Sequence, residues 1–152
     1  MIDDAKPGDL LTTSNFWGVN HVAMLVPIYG DLYVYEYTHD NRPPCVRTRQ
    51  EEPEGLQVHT ILDFVASVGA PTHYPLRREL FVHEYERLTE TIDSCLGRGP
   101  ERWGGQGTGA NILAFTLQSV GIWAAPPQLW TPKRLIKALC RAGIVEKGEK
   151  IA

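Results

Sequence analysis

The sequence has 152 residues, 43% of them hydrophobic and 22% charged, with a formal net charge of −3. That size and balance describe one folded domain over 1–152, and they argue against a disordered or fibrous chain. The negative balance gives no general attraction to nucleic acid, no apolar run of about 18 residues is present, and Met1-Ile2-Asp3-Asp4 lacks the basic and apolar regions of a signal peptide. A protein without a transmembrane segment is expected, cytoplasmic or incorporated into a larger assembly.

Lys6-Pro7-Gly8-Asp9 reads as a turn that feeds a short strand over 10–13. The run His21-Val22-Ala23-Met24-Leu25-Val26 is too short for a helix and almost wholly apolar, so it reads as a strand buried on both faces, ending at Pro27. After a turn at Tyr29-Gly30-Asp31, segment 32–38 alternates Leu32, Val34 and Glu36 with Tyr33, Tyr35 and Tyr37, the period of a pleated strand. Asn41-Arg42-Pro43-Pro44 breaks it, a further strand is expected over 45–48, and Glu51-Glu52-Pro53-Glu54-Gly55 reads as a turn.

Ile61, Leu62, Phe64, Val65 and Val68, with Asp63 early, predict a short helix over 60–68, stopped before Pro71. Segment 73–81 suits a strand through Tyr74, Leu76 and Leu80. Val82, Tyr85, Leu88, Ile92 and Cys95 recur at steps of three and four and predict a surface helix over 82–96. A glycine-rich loop over 104–109 lacks the strand and the lysine of a phosphate-binding loop. It leads into a central helix over 110–121 with little polar surface, and Pro132 opens a closing helix up to Gly143.

Cys45, Cys95 and Cys140 form neither an even set nor a CxxC pair, so reduced thiols are expected; Cys95 and Cys140 fall on the apolar stripes of their helices. The histidines have no recognised metal-ligand spacing. Trp103, Trp123 and Trp130 flank the central helix and are expected to cover the core.

The informative residues are His21 and Glu36. An ionisable group on a buried face is costly unless paired, and a hairpin closing near Gly30 brings these two to the same face, opposite or one diagonal step apart. A carboxylate that holds one imidazole nitrogen fixes the tautomer and leaves the other nitrogen for proton transfer, the relation of a base to its orienter.

Lys6-Pro7-Gly8-Asp9-Leu10-Leu11, Asn20-His21-Val22-Ala23 and Tyr35-Glu36 together resemble the permuted papain-like branch of the NlpC superfamily. That branch includes YiiX-like proteins, lecithin retinol acyltransferase relatives and a poxvirus group. The resemblance extends to Ala110-Asn111-Ile112-Leu113-Ala114-Phe115 through Gly121-Ile122, where the family has its cysteine helix, and to Trp130-Thr131-Pro132 before the last helix. It implies an α+β fold, a small antiparallel sheet packed against helices in circularly permuted papain-like order. It also implies attack on an amide or ester carbonyl, with His21 as base, Glu36 as orienter and the nucleophile at position 110. The implied substrates are peptide or lipid acyl groups, without a cofactor or metal. Thr108 is placed to cap the helix, whose dipole would lower a thiol pKa there, but Ala110 has no atom to attack with. Two explanations remain open: a Cys→Ala substitution in an enzyme, or a non-catalytic interaction module with protein partners.

Overall fold

The structure, a computed structural model, describes residues 4–16, 18–38, 55–95 and 109–151. Within them six strands form one antiparallel sheet: β1 (Leu10–Asn15), β2 (Gly18–Ile28), β3 (Asp31–Thr38), β4 (Gly55–Thr60), β5 (Thr72–Tyr74) and β6 (Glu149–Lys150). The strand order is β4-β3-β2-β1-β5-β6. The helices of the same residues are α1 (Ile61–Val68), α2 (Val82–Cys95), α3 (Gly109–Val120) and α4 (Pro132–Arg141). The architecture is the α+β one expected, an antiparallel sheet packed against helices.

The β2–β3 hairpin sets the register of everything that follows. Ile28 pairs with Asp31, so the loop is the two residues Tyr29 and Gly30, and both have positive φ, 48° and 85°. That is the primed turn whose twist matches the strands it joins. β2 does not stop at Pro27, which pairs with Leu32. Leu25 bonds through both its N–H and its carbonyl to Asp9 and Gly8 on the β1 side. Pro27, two residues on, directs its missing donor to that same side, beyond the start of β1, so the ladder loses nothing.

Both faces of β2 are covered, as its unbroken apolar run requires. Val22, Met24 and Val26 belong with Leu10, Tyr35, Tyr37 and the inner faces of α2, α3 and α4 in the main core. Ala23 and Leu25 belong with Leu11, Val34 and Phe64 of α1 in a smaller core on the opposite face. α1 starts where Thr60 Oγ1 accepts the Asp63 N–H at 3.1 Å and ends at Gly69, φ 84°. α2 starts where Glu84 reaches back to the Phe81 N–H at 2.8 Å, half of a capping box.

Two further expectations need correction. Segment 55–60 is a strand rather than the end of a turn: Leu56 and Val58 alternate with Gln57 and His59, and pairing with β3 fixes it. Segment 73–81 is a strand only over Thr72–Tyr74, with an isolated Leu76 to Val145 bridge, because Pro75 interrupts the ladder. β6, two residues long, carried no sequence signal. The expected strand over 45–48, the glycine-rich loop before Gly109, Cys45, Trp103 and Thr108 lie outside the described residues.

Candidate functional site

The register of Met24 opposite Tyr35, continued by one residue, sets Glu36 beside Ala23, one pleat repeat from His21 on the same face. His21 Nε2 lies 2.6 Å from Glu36 Oε1, and the Glu36 side chain is wholly buried while that of His21 is 19% exposed. A carboxylate only accepts, so Nε2 donates and Nδ1 is the free nitrogen. The same carboxylate has a second imidazole near it: His59 Nε2 is 3.5 Å from Oε2, and His59 is also buried. The Phe64 ring of α1 is tilted by 32° to the His21 ring, with its centroid 6.5 Å away. The cluster can hold a proton in a fixed direction and stabilise an imidazolium.

His59 escaped the sequence reading. Its signal was the alternation of Leu56 and Val58 with Gln57 and His59, which puts His59 on the polar face once the segment is taken as a strand. A second His–carboxylate pair escaped as well. Asp9, fully buried, takes His73 Nε2 at 2.7 Å on Oδ2 and the Leu76 N–H at 2.8 Å on Oδ1, and it also accepts the Lys6 N–H at 3.0 Å. This pair ties the turn before β1 to β5.

α3 begins at Gly109, whose added Cβ would stand 3.7 Å from Tyr37 Cβ and 3.8 Å from the Val22 carbonyl oxygen. The helix start therefore rests on the β2–β3 backbone one residue from His21. Ala110 is fully buried and belongs to the main core with Val22, Tyr35 and Tyr37. His21 and Glu36 alternate with those residues, so their side chains leave the opposite face of the sheet. The structure thus brings His21 and Glu36 together and keeps the Ala110 methyl among core side chains. Asn111 Oδ1 accepts the Trp130 N–H at 2.7 Å, which pins α3 to the chain before α4. Trp130 is buried and meets Trp123 edge-on at 5.3 Å, a core contact as expected.

The described thiols lie away from His21. Cys95 is packed in the main core and Cys140 is half-buried on α4, where burial raises its pKa against a smaller opposing pull from Arg77. Burial also drives the Tyr35 hydroxyl far above its ordinary value, the neighbouring Cys95 adding to it, so this phenol stays neutral. Among the described residues no group of three or more His, Cys, Asp or Glu side chains converges as a metal site requires, since both imidazoles near Glu36 turn Nε2 toward the carboxylate. Among the described residues no helix is long and apolar enough to cross a membrane.

No protein-family model matches the chain, and no curated protein matches it. Its fold is similar to that of the crystal structure of metalloprotein yiiX from Escherichia coli O157:H7, DUF1105, with 14% sequence identity over 97% of this chain and 89% of that one. The TM-score is 0.59, so the chain carries a yiiX-like α+β fold.

Proposed function

We propose that this protein is a catalytically silent form of the permuted papain-like fold, which acts by binding and performs no thiol chemistry at the start of α3. The observation that carries the reading is the first turn of that helix: Gly109 has no side chain, and the Ala110 methyl is part of the core. Nucleophilic catalysis of an acyl transfer needs a sulfur or oxygen beside its base, and neither residue supplies one. The pairing of His21 with Glu36 then serves as a buried polar contact that fixes the β2–β3 register.

The intact pair also favours a second reading, an amide- or ester-cleaving thiol enzyme of the same fold with alanine in the place of its cysteine. There His21 would act as base and then acid, with Glu36 as orienter. Hydrolysis of an activated acyl ester by the protein carrying Ala110→Cys separates the two. The silent reading expects the same slow rate for that protein with and without His21→Ala; a His21-dependent rate with a bell-shaped pH profile overturns it.

A further inference from the structure

A 570 Å³ groove lies between α4, β5 and the first residues of β2. Five cations stand round it, Arg77, Lys133, Lys137, Arg141 and Lys147, and no acidic residue lines it. The chain has 15 Lys and Arg against 18 Asp and Glu, so a third of its positive charge surrounds one groove in a protein of net charge −3. All five are exposed, and none pairs with a described carboxylate. Lys133, Lys137 and Arg141 follow one another at four-residue steps along α4, a spacing at which like charges repel. A bound anion relieves that repulsion.

The floor is apolar. Ile136 and Val145 are buried there, and Val19 and the Tyr74 ring are half-buried. Val19 reaches this face because Thr13 pairs with His21 while Ser14 pairs with Val19, so Asn20 is an extra residue that reverses the alternation of β2. Gly148 lays bare backbone on Tyr74, where a Cβ would come within 2.6 Å of Cζ. The Cys140 thiol, kept neutral by burial, completes an uncharged wall.

From the cationic rim and apolar floor we infer that this groove binds a single-chain amphiphile, an anionic head on an acyl or alkyl chain. The chain lies along Ile136 and Val145, with the head among Lys133, Lys137 and Arg141. The volume is within the range of small-molecule sites, about 300–1,000 Å³. The inference does not rest on the catalytic reading, because the groove uses neither His21 nor the start of α3.

Calorimetric titration tests it with dodecanoate and dodecyl phosphate, each as free monomer. Acetate and inorganic phosphate serve as heads without a chain, and dodecyl maltoside as a chain without charge. The long-chain anions are expected to bind, more weakly as salt rises from about 50 mM to about 500 mM. The double variant Lys133→Glu with Lys137→Glu, whose sites are exposed, is expected to fold as before, by circular dichroism, and to lose about tenfold or more in affinity. Tighter binding of dodecanoate or of dodecyl phosphate identifies a carboxylate or a phosphate head. Equal binding of dodecyl maltoside, or an unchanged affinity in the double variant, overturns the proposal. So does binding confined to anionic vesicles or to polyglutamate, which would make this face a membrane or protein contact instead.

Discussion

Replacing Glu36 by Gln keeps the size of the side chain and removes its charge, leaving one amide oxygen and an NH2 donor where two imidazoles faced a carboxylate. The carboxylate is fully buried, with His21 Nε2 at 2.6 Å and His59 Nε2 at 3.5 Å. Breaking a buried pair from one side costs about 3–5 kcal/mol, and because His21 is partly open to water the lower end, about 3 kcal/mol, applies. Against a total stability of about 5–15 kcal/mol that is a large loss. With a urea dependence of about 2 kcal/mol per molar, it moves the unfolding midpoint down by about 1.5 M. Tryptophan fluorescence follows the transition, and a double-mutant cycle with His21→Ala is expected to return a coupling of about 1 kcal/mol or more. A midpoint shift below about 0.3 M, at an unchanged slope, would refute the claim that Glu36 is held by these partners.

Further outcomes follow from other contacts. Arg78, bonded at 2.7 Å and 2.8 Å, lowers the Glu84 pKa most, against the effect of burial, and the Phe81 N–H adds to it. A depressed folded-state pKa gives stability that is complete above the unfolded carboxylate value and is lost as pH falls through the folded one. Glu84→Gln should therefore flatten the acid limb of stability against pH by up to about 1 kcal/mol, since Arg78 is half-exposed. Gly109→Ala has room and sits in a helix, so it should raise stability by about 0.5–1 kcal/mol. Gly148→Ala should lower it by about 1–3 kcal/mol, because the added Cβ meets Tyr74 and Thr72 at 2.6–2.7 Å. Mass spectrometry after iodoacetamide near neutral pH should find Cys140 labelled more slowly than a cysteine in a short peptide, its pKa being raised by burial.

The β2–β3 hairpin and the His21–Glu36 contact were legible because two strong patterns, an apolar run and a strict alternation, meet at a turn with Gly30. The helices were legible for the same reason of periodicity, down to the start of α4 at Pro132. What escaped were contacts that depend on register. His59 joins Glu36 only once β4 pairs with β3, and Asp9 meets His73 across 64 residues of chain. Pro27 misled because an isolated proline signals a strand end, whereas here its missing donor falls where no partner strand lies. The placement of Ala110 in the main core depends on which face of the sheet α3 covers, and no local pattern carries that.

The central claim is that Ala110 is a core residue at the start of a helix without a nucleophile, and the rate at which Ala110→Cys reacts with iodoacetamide near pH 7 tests it most directly. The account predicts a slow thiol, labelled at the same rate whether or not His21→Ala is also present, and slower than the thiol of Gly109→Cys at the half-buried helix start. Rapid labelling of Ala110→Cys that disappears with His21→Ala would contradict it and point to an enzyme lacking only its sulfur.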